Sequence, residues 1–196
     1  MWILLSGVVG IWAIIQFNRL IQLKNQVKNA FAQIDVQMQR RFDLIPNLVE
    51  SCQGYMDHER ETLLAVTRAR EVQRTASQSL RQELNNPQAL DAWKNSAQEL
   101  NQNLGRLLAT VESYPDLKAS KNVAALTEEL TTTENRIGFS RQAYNDCVTQ
   151  FNICLESFPG NLLAKLLGLR PVSVLELAHE LIVQPPKVHF HTGPQP

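Results

Sequence analysis

Ser120-Lys121-Asn122-Val123-Ala124-Ala125-Leu126-Thr127-Glu128-Glu129-Leu130-Thr131-Thr132-Thr133-Glu134-Asn135-Arg136-Ile137-Gly138-Phe139-Ser140-Arg141-Gln142-Ala143-Tyr144-Asn145-Asp146-Cys147-Val148-Thr149-Gln150-Phe151-Asn152-Ile153-Cys154-Leu155-Glu156-Ser157-Phe158 is the most regularly patterned stretch of the chain. Small and apolar residues recur at Leu126, Leu130, Thr133, Ile137, Ser140, Tyr144, Cys147, Phe151, Cys154 and Phe158, in alternating steps of four and three. That spacing is the seven-residue repeat of a helix packed in a left-handed bundle or coiled coil. Ser120 is placed to cap its start, and Phe158-Pro159-Gly160 ends it.

Working outward, Tyr114-Pro115-Asp116 closes a preceding helix, because a residue before proline is pushed out of helical geometry. That helix carries Leu90, Trp93, Ala97, Leu100, Leu104, Leu107, Leu108 and Val111 on one face. Asn86-Pro87 is its start signal, a capping side chain followed by proline at the first helical position. Upstream, Leu48, Val49, Cys52, Tyr55, Met56, Leu63, Val66 and Ala69 line one face of a segment from about Leu44 to Ser79. Its other face is charged, with Asp57, Glu59, Arg60, Glu61, Arg68, Arg70, Glu71 and Arg74, and Gly54 inside it allows close approach of another helix. The first amphipathic segment places Phe17, Leu20, Val27, Phe31, Ile34 and Met38 at helical spacing and runs to about Arg41.

Between these two segments stands Pro46. With Asp43 as cap, Pro46 falls in a first turn, where its missing N–H is harmless, and the chain reverses; a continuous helix would instead kink there. The reversal is the expectation. No segment alternates with period two, so the fold class is all-α: a four-helix up-and-down bundle over residues 18–158.

The start of the chain is apolar and free of charge. Trp2, Ile3, Leu4, Leu5, Val8, Val9, Ile11, Trp12, Ile14 and Ile15 form a run with no basic residue before it and no small-residue cleavage site after it, which argues against a signal peptide. A transmembrane anchor over residues 1–17 is the expectation, in contact with membrane lipid. Fifteen helical residues rise only about 22 Å against a hydrocarbon core of about 30 Å, so snorkelling of Arg19, bilayer thinning or association with neighbouring copies must absorb the difference. Arg19, Lys24, Lys28, Arg40 and Arg41 all follow the run. The positive-inside rule then puts the N-terminus outside and the bundle in the cytoplasm of a single-pass protein. At the other end, residues 159–196 hold two apolar segments, Asn161–Leu169 and Val172–Val183, before Gln184-Pro185-Pro186 opens a Pro-containing tail. So apolar a tail needs cover from membrane, bundle or another copy, which makes a homo-oligomer the expectation.

Composition narrows the function. Lysine plus arginine equals aspartate plus glutamate at 19 each, so no basic surplus points to nucleic acid. Cys52, Cys147 and Cys154 read as reduced thiols in a helical core.

Two blocks carry a family resemblance. Val27-Lys28-Asn29-Ala30-Phe31-Ala32-Gln33-Ile34-Asp35-Val36-Gln37 through Arg40-Arg41-Phe42-Asp43-Leu44-Ile45-Pro46-Asn47-Leu48-Val49-Glu50 resembles the bacterial LemA family. So do Glu129-Leu130-Thr131-Thr132-Thr133-Glu134-Asn135-Arg136-Ile137, Arg141-Gln142-Ala143-Tyr144-Asn145, Phe151-Asn152 and Phe158-Pro159. The likeness covers roughly residues 1–169, with Lys187-Val188-His189-Phe190 similar to a common family ending. It implies a protein of the bacterial cytoplasmic membrane, anchored through its N-terminus, with a four-helix soluble part. It implies no settled biochemical activity.

No chemistry-bearing motif stands out. His58-Glu59 and His179-Glu180 lack the second histidine of a zinc protease, and Glu176-x-x-His179 is the one Glu-x-x-His pair where a di-iron bundle needs two. No cofactor, metal or catalytic residue is expected, and the chain is not expected to be an enzyme. The candidate functional residues are polar ones beside apolar seams: Arg41, Asp43 and Asn47 at the expected first turn, and Glu134, Asn135, Arg141, Asn145 and Asn152 on the last long helix. They form either a hydrogen-bonded network that fixes helix register or an interface for a second copy or partner protein. Two functions follow: a membrane-anchored scaffold that self-assembles, or an adaptor that binds a membrane partner through the charged face of the second helix.

Overall fold

The computed structural model of the protein describes residues 2–175, apart from the side chains of residues 2–6, Val9 and Asp57. The described residues are helical, without strands. They comprise α1 (Trp2–Gln53), a single 3-10 turn (Asp57–Glu59), α2 (Arg60–Gln82), α3 (Pro87–Glu112), α4 (Pro115–Ala119), α5 (Lys121–Glu156) and α6 (Gly160–Leu166). The expectations for residues 176–196 lie outside the described residues.

The reversal expected at Pro46 does not occur. α1 is one helix of 52 residues with Pro46 inside it, about 78 Å long. The reason lies in its heptad register. Leu20, Val27, Ile34, Arg41 and Leu48 occupy one seam position, and Phe31, Met38, Ile45 and Cys52 the other, and all are buried. The register passes the proline unbroken, and Pro46 itself is on the exposed side. Proline leaves the carbonyl four residues back, that of Phe42, without its helical donor. The Arg70 Nε–H of α2 donates to that oxygen at 2.6 Å. A guanidinium thus replaces the missing amide and ties α2 to α1 in the same contact.

The reversal comes ten residues later. The Tyr55 and Met56 amides both donate to the Cys52 carbonyl, Gly54 lies in the turn rather than inside a helix, and Met56 is buried beneath it. The second helix therefore starts at Arg60, not Leu44. Asn86 caps α3 as its sequence predicts, accepting from the Gln88 and Ala89 amides, with Pro87 at the first helical position. Ser120 caps α5 through the Val123 amide. Between them Pro115 initiates the short α4, which buries Leu117.

α1 packs along α5, and α2 along α3. Both pairs are antiparallel: Asn122 meets Ser51 while Phe31 meets Tyr144, edge to face at 5.9 Å, and Trp93 donates to Ser77 while Ser96 donates to Gln73. α2 also meets α1, where Arg81 pairs with Asp35 at 2.5 Å. The result is four long antiparallel helices around one apolar core. On α5 the expected seam drifts toward its end: Val148, Phe151 and Leu155 are buried, whereas Phe158 is 76% exposed.

Replacing Arg70 by methionine is expected to lower unfolding free energy by about 1–3 kcal/mol, because it strands a carbonyl. In a Pro46→Ala background the helix regains its own donor, and the same replacement costs less than half as much. Urea unfolding of the four proteins of this double-mutant cycle measures the coupling.

Candidate functional site

The polar residues singled out in the sequence separate into three groups. Arg41 occupies a heptad seam position of α1 and is 5% exposed. Its guanidinium pairs with Glu134 of α5 at 3.0 Å and donates to the Asn101 side chain of α3. Burial lowers the pKa of Arg41, and the charge of Glu134 offsets part of that. Arg141, one heptad beyond Glu134 and half-buried, is shifted down by burial and up by Glu134 in the same way. Glu134 thus pairs with Arg41 and lies within electrostatic reach of Arg141, and three helices meet at Arg41.

Asp43 and Asn47 do not join it. Without a turn at Pro46 they lie on the exposed side of a continuous helix. Asp43 accepts from Gln39 at 2.9 Å, and the Asn47 carbonyl accepts from Ser51. Asn135 is likewise exposed.

Asn145 and Asn152 do something else. Asn152 Nδ2 donates to the Val172 carbonyl at 2.9 Å, and its Oδ1 accepts from the Val172 amide at 3.0 Å. Asn145 treats Leu175 identically, donating to its carbonyl at 3.3 Å and accepting from its amide at 2.8 Å. Tyr144 donates to the Ser173 carbonyl between them at 3.3 Å. Seven helical residues rise about 10.5 Å, and three extended residues span about 10 Å. Two asparagines one heptad apart are thus in register with every third residue of an extended segment. Each amide satisfies the N–H and C=O of a single residue, as a neighbouring strand would. The pairing reads backbone, not side chains, and it runs along the flank of α5 that carries Asn145 and Asn152.

Tyr144 sits under this strap at 1% exposure, and burial pushes its phenol up to about 12. The reading of the sequence missed Asn101, Tyr144 and Arg70 as polar partners. Arg41 is legible in the sequence as a polar candidate, but its place is a heptad seam of α1 rather than a turn. The strap is not legible, because its partners are 20 and 30 residues apart along the chain.

The expected anchor residues Val8, Ile11, Trp12, Ile14 and Ile15 are all exposed on α1, at 65, 63, 42, 61 and 56%. Trp2, Ile3, Leu4 and Leu5 lie in the same helix; their side chains, and that of Val9, are not among those described. Among the described residues no helix is long and apolar enough to cross a membrane, so the expected single-pass span is not established by the fold. Nor, among them, does any group of three or more His, Cys, Asp or Glu residues come together as metal ligands. The three cysteines are free, and burial raises the Cys52 pKa. A cleft of about 900 Å³ between α1, the α2–α3 turn and the strap mixes Lys24, Lys28 and Arg170 with Phe31, Phe151 and Val172.

Comparison with known proteins gives one consistent family. The profile of the LemA family matches residues 30–190. The chain is 30% identical over 163 residues to Protein LemA of Metamycoplasma hominis, covering 81% of this chain and 68% of that one. It is 34% identical over 67 residues to Magnetosome protein MamQ 2 of Paramagnetospirillum magneticum, covering 34% of this chain and 25% of the relative. Against Magnetosome protein MamQ of Magnetospirillum gryphiswaldense the figures are 31% over 77 residues, 39% and 27%.

Replacing both Asn145 and Asn152 by alanine is expected to speed hydrogen exchange at the Val172 and Leu175 amides by at least about tenfold, with the bundle's melting temperature lowered by only a few degrees. Exchange read by mass spectrometry on the 167–175 peptide checks this. A second expectation concerns pH. The Tyr144 phenol titrates at about 12 when folded against an ordinary 10.0, so the folded state holds the proton more tightly. Its contribution to stability is complete below pH 10 and is lost as pH rises to about 12. Denaturant melts from pH 9 to 12 should show this alkaline loss, and Tyr144→Phe should reduce it.

Proposed function

Since the chain belongs to the LemA family, we propose that it is a non-enzymatic, membrane-anchored helical protein that self-assembles or scaffolds at the bacterial cytoplasmic membrane. The observation that carries this reading is the first part of α1. The helix extends beyond the bundle, whose first buried core residue on α1 is Leu20, and Val8, Ile11, Ile14 and Ile15 are each more than half exposed there. An apolar surface of this kind needs an apolar medium.

Arg19, Lys24 and Lys28 follow the run directly, which favours a bundle on the cytoplasmic face. The run is short for a full crossing. A thinned bilayer and side-by-side contact with other copies both relieve that shortage, and the second links anchoring to assembly. An adaptor role is the second reading. It is favoured by Leu64 and Val72, 44% and 51% exposed on the charged face of α2, where a partner helix could pack between the charges.

The double replacement Ile11→Asp with Ile14→Asp tests the first reading, since each carboxylate costs about 3 kcal/mol near a bilayer centre. The variant is expected to move from the membrane pellet to the supernatant while keeping its helical circular dichroism. Retention in the pellet as a folded protein would refute anchoring. Native mass measurement of the wild-type chain in mild detergent checks assembly: several copies are expected, and a monomer would refute it.

A further inference from the structure

α6 presents an apolar face that the bundle does not use. Its inner side is fixed: a Cβ on Gly160 would stand 2.0 Å from the Cys154 carbonyl oxygen, and Ala164 one turn later is buried. Backbone faces backbone at Gly160, so neither side can yield. The far end is closed as firmly. The Leu169 amide donates to the Ala164 carbonyl and the Gly168 amide to that of Lys165, with Gly168 at φ +62°, the left-handed residue such a helix ending requires. With its inner side so held, α6 turns Leu162 and Leu166 outward, one helical turn apart and 60% and 81% exposed. Leu167 is 40% exposed, and Phe158, just before the helix, 76%.

The position of this face identifies what covers it. α6 packs against both α5 and α1. Because α5 runs antiparallel to α1, its C-terminal end lies where α1 enters the bundle from the exposed apolar run. Arg19, Lys24, Lys28, Lys165 and Arg170 at this end outnumber Glu83, Asp91 and Glu156, whereas at the opposite end Glu50, Glu59, Glu61, Glu112 and Asp116 outnumber Arg60, Lys118 and Lys121. The molecule is basic where it is most apolar.

We propose that Phe158 and the Leu162–Leu166–Leu167 face of α6 lie on an anionic phospholipid surface, as a second lipid contact beside the N-terminal run. Leucines and a phenylalanine enter the acyl boundary while lysine and arginine stay at the phosphates, the division of labour of an interfacial amphipathic helix. This inference rests on the membrane reading above, yet it fails separately from it.

The test uses the full chain in vesicles of phosphatidylcholine and phosphatidylglycerol that carry a diazirine on the acyl chain, with photo-adducts mapped by mass spectrometry. Adducts are expected on residues 158–167 as well as on residues 2–17. Leu162→Glu with Leu166→Glu should cut the α6 adducts about tenfold and leave those on α1 unchanged. Vesicles of phosphatidylcholine alone should also lower the α6 adducts. Adducts confined to residues 2–17 would overturn the proposal. Adducts on residues 158–167 with none on residues 2–17 would support this contact and overturn the anchor instead.

Discussion

One carbonyl oxygen governs the layout of this molecule. Pro46 removes the donor that the Phe42 carbonyl would have had, and Arg70 supplies another from the next helix. Were the oxygen unmet, α1 would bend or stop there, and its buried residues would no longer face one direction. Because it is met, α1 carries a single seam from Leu20 to Cys52 and touches α2, α5 and α6 in turn. The same bond, together with the Arg81–Asp35 pair, joins α2 to α1.

This also explains where sequence reading succeeded and where it did not. The seven-residue pattern on α5, the Asn86-Pro87 start and the Ser120 cap are local signals, and the fold obeys them. Pro46 is a local signal too, but it competes with a register that continues through Arg41, Ile45, Leu48 and Cys52. The register wins because it engages many core contacts, whereas the proline's defect is a single hydrogen bond that a distant arginine can repair. Reading Asp43 as a cap followed from favouring the local rule. The strap over α5 had no local signal at all: an asparagine beside a seam looks the same whether it pairs with a helix, a strand or water.

Arg41 shows how charge can sit in a helical core. It takes a seam position that Leu20, Val27, Ile34 and Leu48 fill with hydrocarbon. Its guanidinium is answered from α3 by Asn101 and from α5 by Glu134. Such a group adds less to stability than to discrimination, since any slip of one helix by a turn would leave a buried charge without its partners. α5 thus uses two flanks for polar work, Glu134 toward the core and Asn145 with Asn152 toward the strap. The LemA fold in this chain is therefore specified by a few polar contacts laid over an apolar pattern that many bundles share.

The unbroken helix has a mechanical consequence. From Ile11 to Gln53 α1 contains no glycine and one proline, and that proline is braced. A helix of this kind resists twisting about its axis, so it acts as a shaft rather than a tether. Each residue turns it by about 100°; one residue added between Phe17 and Leu20 would rotate the whole bundle by that angle against the exposed run. The orientation of α6 and of the charged face of α2 is consequently an angular property, set by the number of residues in the shaft.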